Sequence, residues 1–230
     1  DIDGQARLLA SRVLIVGLGG LGSPAALYLA AAGVGHLVLA DFDRVEITNL
    51  QRQILHGSAD VGRLKTESAT DRLHALNPDT TITRLDTPMD AEQLSEWTAK
   101  VDLVVDGSDN FATRFAVNAA CVAARRPLVS GAVIGMDGQL AVFRPDADGP
   151  CYRCVYADTG EEAQSCSETG VLGPLPGVIG SLQAVEVIKV LTGLGTPLNG
   201  RLLIMDALGQ NWRRLNLRRD PDCPVCGQEN

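Results

Sequence analysis

Along the first half of the chain, short apolar runs alternate with glycine-rich and polar stretches. Residues 11–16 form a mostly β-branched run that reads as a strand and ends in Gly17-Leu-Gly-Gly-Leu-Gly22. Residues 24–32 are helix-like, and residues 36–40 form a second apolar strand that stops at Asp41. A third, residues 101–105, leads into Asp106-Gly-Ser-Asp-Asn110. Farther on, residues 127–131 and 139–143 read as strands, 178–191 as an apolar-faced helix, and 201–206 with 212–217 as closing strands. No linker or repeat interrupts the pattern. It predicts one α/β domain over residues 1–230, with a parallel sheet in the first half, about 1–130, and antiparallel strands continuing it through about 131–230.

Composition narrows the function. With 230 residues and 45% hydrophobic content, the chain has enough apolar material for a sizeable core. A formal charge of -8 argues against nonspecific nucleic-acid binding, which needs clustered cations on one face. The basic runs Arg125-Arg126 and 213–219 read as solvated surface. Residues near the N-terminus lack a charged-then-apolar leader pattern, and no apolar stretch reaches the roughly 20 uninterrupted residues that a membrane span needs. The expectation is a cytoplasmic protein with neither membrane nor nucleic acid as partner.

The order strand, glycine turn, helix, strand matters more. Gly17, Gly19 and Gly22 keep the G-x-G-x-x-G spacing, which lets backbone N–H groups approach phosphates beside a helix N-terminus. Asp41 follows about twenty residues later, where an acidic side chain accepts hydrogen bonds from a ribose. These features alone suit an NAD-dependent oxidoreductase, and a ligand-free glycine turn is the plain alternative. Past Asp41, however, Asp43, Thr48-Asn-Leu-Gln-Arg52, Gln53 and Lys65 concentrate polar and cationic groups suited to a triphosphate, unless they only form a solvated helix face. Asp109 and Asn110 fall at a strand's carboxyl end, the edge where open α/β sheets bind ligands. Asp109 is a candidate Mg2+ ligand there; a turn or helix cap of Asp and Asn is the alternative.

Gly17 to Gly22, Ala32-Gly-Val-Gly35, Asp41-Phe-Asp43, Asn49-Leu-Gln-Arg-Gln53 and Lys65 together resemble the adenylation domain of the ubiquitin-activating superfamily, in the bacterial branch that serves molybdopterin and thiamine synthesis. The resemblance covers nearly the whole chain. It implies a Rossmann-like ATP-binding sheet and homodimerisation. It also implies adenylation of the terminal Gly-Gly carboxylate of a small ubiquitin-like sulfur-carrier protein. By the same resemblance, Gly20 and Asp41 contact ATP, with Asp41 on the ribose. Thr48, Asn49, Leu50, Gln51, Arg52, Gln53 and Lys65 fall in the segment around the phosphates, Arg52 and Lys65 supplying most of the charge. Asp109 holds Mg2+ with Asn110 beside it. The family further places an N-terminal arginine on the neighbouring subunit's phosphates; the chain starts too late to contain it, and Arg7 and Arg12 lie nearer the first strand. Members for both pathways share these motifs, with Asp3-Gly-Gln5 and Asp41-Phe-Asp43 leaning to the molybdopterin type.

The six cysteines fit reduced thiols and a metal better than a disulfide framework. Cys151-x-x-Cys154 and Cys223-x-x-Cys226 form two pairs, the second in a Cys-Pro-Val-Cys-Gly knuckle, and four thiolates make a closed zinc site that would staple the C-terminal tail to the segment beginning at Cys151. Redox thiols or an empty site are the alternatives, and the resemblance supports the same four ligands. Cys121 reads as a buried helix residue. Cys166 stands alone in a polar, loop-like stretch, either an incidental surface thiol or, by resemblance, the cysteine that forms a covalent thioester or persulfide-linked species with the carrier. Besides the carrier adenylyltransferase, two readings remain: an NAD-dependent oxidoreductase, and a noncatalytic scaffold that kept the fold and the zinc.

Overall fold

The computed structural model describes residues 2–145, 147, 149–157 and 170–227. Its centre is an eight-stranded sheet in the order β3-β2-β1-β4-β5-β6-β7-β8. The strands are β1 (Arg12–Val16), β2 (His36–Ala40), β3 (Thr81–Leu85), β4 (Leu103–Asp106), β5 (Leu128–Ile134), β6 (Asp137–Phe143), β7 (Arg201–Asp206) and β8 (Asn211–Asn216). The first five run parallel and the last three antiparallel, so the expected mixed α/β sheet is present.

Strand periodicity divides the core into two layers. Val13, Ile15, Leu37, Leu39, Leu103 and Val105 point to one face, where they meet α1 (Ile2–Ala10), α2 (Gly22–Ala31), α3 (Lys65–Leu76) and α7 (Pro174–Thr192). Leu14, Val16, Val38, Ala40 and Val104 point to the other, against α4 (Ala91–Ala99), α5 (Phe111–Ala123) and Tyr152 of the short α6 (Tyr152–Val155). Near-continuous apolar runs are what parallel strands buried on both faces require.

Several expected boundaries shift. The strand expected at 127–131 continues to Ile134 because it pairs along its whole length with β6, which begins at Asp137 rather than 139. The helix expected at 178–191 starts at Pro174, since prolines in a first turn forfeit no helical hydrogen bond. At 19 residues α7 is long and apolar enough to cross a bilayer by length and composition alone, but Gln183, Glu186 and Lys189 interrupt it, so it is not the uninterrupted apolar stretch of about 20 residues that a span needs. Ile179, Gln183, Ala184 and Val187 are buried against the molecule. Cys121 is buried on α5, as expected.

Two loops at the carboxyl ends of β1 and β4 meet where the strand order reverses, the switch point at which open α/β sheets take ligands. Gly17 has φ +88, and a Cβ on it would stand 2.9 Å from the Gly107 carbonyl oxygen. A Cβ on Gly22 would fall 1.8 Å from the Gly17 carbonyl oxygen. Side chains at either position would push the loops apart.

His56, 7% exposed, holds this turn from behind. Its Nε2 donates to the Leu18 carbonyl at 3.1 Å and its Nδ1 lies 2.9 Å from the Ser68 hydroxyl of α3. Burial is the main cause keeping its pKa below the ordinary 6.5, so the ring is neutral near pH 7. The unfolded chain therefore takes up this proton first: His56 contributes stability above about 6.5 that is lost as pH falls toward the lower folded value. Urea unfolding from about pH 7.5 to about pH 5 is expected to show a steeper loss of stability in wild type than in His56→Asn. Parallel curves for the two would mean the imidazole carries no such linkage.

Candidate active site

The switch point opens into a cavity of about 450 Å³, within the range of small-molecule sites, about 300–1,000 Å³. One wall is the glycine turn, where α2 begins with no side-chain cap at Leu21, leaving its first N–H groups for another acceptor. Of the residues expected to bind nucleotide or take part in catalysis, Gly17, Gly19, Gly20, Asp41, Asp43, Arg52, Gln53, Lys65, Asp109 and Asn110 all line this cavity. Gly22 supports the turn from beneath through its contact with Gly17.

Thr48, Asn49, Leu50 and Gln51 stay out of the wall. Ile47–Asn49 forms a single 3-10 turn, and the Asn49 carbonyl accepts from both Arg52 N and Gln53 N. The segment thus acts as a bracket that turns Arg52 and Gln53 inward, while Gln51 packs on Gly173. Arg52 passes over Gly20, and Gln53 lies against Gly19. Gln53 is 4% exposed and its Oε1 has no hydrogen-bond partner among the described residues. A buried acceptor left this way costs about 1–3 kcal/mol, which a ligand donor would recover.

Asp41 accepts from Leu18 N at 2.8 Å and from Asp43 N at 2.9 Å, one bond on each carboxylate oxygen. Each oxygen keeps a lone pair for a ribose hydroxyl. Burial raises its pKa, opposed chiefly by Lys65. Lys65 is 5% exposed, so the solvated-helix alternative does not hold for it. Its Nζ lies 2.8 Å from Asp43 Oδ2 and 3.8 Å from Asp41 Oδ2. This ammonium is drawn into the cavity by two carboxylates and stays within reach of an incoming phosphate.

Asp109 and Asn110 follow β4. Asn110 is the N-cap of α5, its side chain accepting from Thr113 N at 2.9 Å, which realises the capping alternative for that residue. Asp109 presents an exposed carboxylate on the cavity wall, chemically suited to one position on a Mg2+ whose remaining ligands are phosphate and water oxygens. Met89, Leu94 and Val117 also line the cavity, apolar side chains suited to a flat base. Sequence reasoning missed these residues and Arg114, a cavity residue only 6% exposed whose Nη2 donates to the Ser108 carbonyl at 2.8 Å. Its spacing after Asp109 was the available signal. Arg7 donates to the Thr192 carbonyl at the far end of α7, away from the cavity, and Arg12 opens β1.

The second cluster is the cysteine tetrad. The Sγ atoms of Cys151, Cys154, Cys223 and Cys226 all lie within 4.8 Å of one another, with pairs at 3.9, 3.7 and 3.3 Å. A tetrahedral zinc with bonds of about 2.3 Å needs sulfur–sulfur edges of about 3.8 Å, so the donor set fits. Burial raises the thiols of Cys151, Cys154 and Cys226. Burial opposes ionisation of Cys223 too, but backbone N–H groups of Cys226 and Val225 offset it and bring that thiol down to about 7. Arg219, expected at the solvated surface, donates to the Cys226 carbonyl at 2.5 Å and braces the knuckle. Cys166 lies outside the described residues.

The comparisons agree with this geometry. The model of the ThiF family matches residues 1–225. Molybdopterin-synthase adenylyltransferase of Escherichia coli (strain K12) is 53% identical over 228 residues, covering 99% of this chain and 92% of that protein. Sulfur carrier protein ThiS adenylyltransferase of the same organism is 50% identical over 229 residues, covering 100% and 91%. Among solved structures, E. coli MccB with ATP superposes with a TM-score of 0.88 at 26% identity, covering 98% of this chain and 69% of that one. With residues 1–225 matched, the glycine turn on β1, the inward Arg52 and Lys65 and the four clustered cysteines are those of a chain that belongs to the ThiF family.

Proposed function

We propose that this chain uses ATP to adenylate the C-terminal carboxylate of a small ubiquitin-like sulfur-carrier protein. The observation that carries the reading is the convergence of Arg52 and Lys65 on one cavity with the glycine turn and Asp41, in a family whose members include adenylyltransferases acting on such carriers. A carboxylate oxygen of the carrier attacks the α-phosphorus of ATP, the bond to the bridging oxygen of the β-phosphate breaks, and pyrophosphate leaves with that electron pair. The attacking group, with a reference pKa near 3.5, is already ionised at neutral pH, so no general base is required. His56, the buried histidine nearest the turn, is committed to Leu18 and Ser68, in keeping with that absence.

Catalysis then rests on alignment and charge neutralisation. Arg52 and Lys65 offset the charge that accumulates on the phosphates, Asp41 fixes the ribose, and the glycine turn supplies backbone donors. Mg2+, held by Asp109, would add Lewis-acid neutralisation of the same oxygens. Zinc at the cysteine tetrad would fasten the C-terminal tail and take no part in the chemistry. The carrier's entry is supported by an apolar rim: Ile134, Met136 and Leu172 are exposed next to Val133 and Val171 of the cavity wall. It supports a carrier-binding role for residues beyond about 131. A homodimer is supported by Val178 and Val185, seven residues apart and so on one side of α7, both exposed. ATP as co-substrate and a reduced thiol cluster fit the cytoplasm.

The reading predicts ATP–pyrophosphate exchange that requires Mg2+ and a carrier ending in Gly-Gly. Exchange that ignores the carrier, or tight NAD binding with no competition from ATP, would defeat it. Lys65→Ala is expected to lower the exchange rate about 10²–10³-fold, and Asp109→Ala to abolish it with the thermal unfolding profile unchanged; wild-type turnover in either variant removes that residue from the mechanism. For Cys166→Ala, the expected result is normal pyrophosphate release and loss of any covalent carrier adduct on non-reducing gels. An adduct that persists assigns the linkage to another group.

A further inference from the structure

The nucleotide cavity and the cysteine tetrad lie at opposite ends of one chain of buried contacts, built on α5. That helix is capped by Asn110 at the cavity. One turn in, Arg114 donates through Nη2 to the Ser108 carbonyl at 2.8 Å, and its guanidinium lies close enough to the Tyr152 hydroxyl to act on it electrostatically. A further turn on, Asn118 is 1% exposed. Its Oδ1 accepts from Tyr152 N at 2.8 Å, and its Nδ2 points at Cys151 Sγ, 3.6 Å away. Residues four apart on a helix share a face, so Arg114 and Asn118 together grip Tyr152.

Neither end of this chain has slack. The Tyr152 ring meets Phe115 and Phe143 edge-on, with centroids 5.6 and 5.8 Å away, and stacks on Tyr156 at 4.5 Å. Ser108 is tied through N and Oγ to Asp106 Oδ1 at 3.0 and 2.6 Å, and Asp106, with no exposure, also accepts from Ser130 Oγ at 3.2 Å. The residue after Ser108 is Asp109. Cys151 and Tyr152 are likewise adjacent, so a metal that fixes Cys151 also fixes the backbone N–H that Asn118 holds.

We propose that Arg114 and Asn118 are positioning residues that couple the two sites, so that metal at the tetrad and nucleotide in the cavity each strengthen the binding of the other. Closing the tetrad sets Tyr152, Tyr152 sets Arg114, and Arg114 sets the Ser108 carbonyl beside Asp109. A nucleotide that orders the loop at 107–110 acts on the same contacts in reverse. The effect is reciprocal by linkage: whatever factor zinc confers on nucleotide affinity, nucleotide confers on zinc affinity. Asn118 has a second role toward the metal, since an N–H aimed at a thiolate orients that ligand, and removing such outer partners typically lowers metal affinity about 10–100-fold.

The proposal rests on the reading that the tetrad holds zinc and the cavity binds ATP. The test is zinc release from the full chain to an excess chelator, followed with a metal-sensitive dye, with and without Mg2+ and a non-hydrolysable ATP analogue. The analogue is expected to slow release about fivefold or more in wild type. Asn118→Asp, which keeps the acceptor for Tyr152 N but removes the donor to sulfur, is expected to speed release about tenfold or more. Arg114→Lys, which cannot bridge Ser108 and Tyr152 with a planar fork, is expected to abolish the analogue's effect. Should either variant fail to fold, the wild-type comparison still decides. Stoichiometric zinc, a bound analogue and equal release rates overturn the coupling while the reading of each site stands. A chain that takes up no zinc, or does not bind the analogue, overturns the coupling together with the reading of that site.

Discussion

Everything at this site depends on two loops touching backbone to backbone. The turn after β1 and the turn after β4 come together at Gly17 and Gly107, and the helix that follows the first turn is admitted only because Gly22 has no side chain to strike the Gly17 carbonyl. The contact aims the start of α2, uncapped at Leu21, into the same space that Asp109 enters from the other side. A single methyl group at Gly22 would separate the phosphate-facing backbone from the carboxylate. His56 and Asp41 reinforce the arrangement from behind, through the Leu18 carbonyl and the Leu18 N–H respectively.

Around this frame the charges are placed before any ligand arrives. Lys65 is nearly excluded from solvent yet ion-paired with Asp43 and close to Asp41. Its charge is therefore compensated in the free protein and remains oriented toward the cavity. Preorganised groups of this kind stabilise developing charge without the reorganisation that water would require. A reaction whose nucleophile is already ionised needs little else from the protein than correct distances.

The parts of this design that reside in local pattern were legible in the sequence. Gly17, Gly19, Gly22 and Asp41 follow from spacing within a strand-turn-helix-strand unit, and the tetrad from two Cys-x-x-Cys pairs. Tertiary parts were not. Nothing local distinguishes Asn49, which brackets the turn, from Arg52, which enters the cavity, because the difference lies in which way a 3-10 turn faces. Asn110 reads equally as ligand or cap until Thr113 N is found on its oxygen. The amphipathic α1, α3 and α4 and the edge strand β3 were passed over, since their apolar positions are sparse and their burial is supplied by distant residues. Arg219 resembled surface charge because its partner, the Cys226 carbonyl, comes into reach only once the knuckle folds back.

The central claim is that ATP's α-phosphate is transferred to a carrier carboxylate and to no group on this chain. It is tested by incubating the full chain with a Gly-Gly-terminated carrier, Mg2+ and ATP labelled at either the α- or the γ-phosphate, followed by rapid quench and separation of the two proteins. The account predicts α-label on the carrier, released as AMP by mild base or hydroxylamine, and γ-label only in pyrophosphate. Label from the γ-phosphate on the carrier, or α-label bound to this chain in place of the carrier, would contradict it.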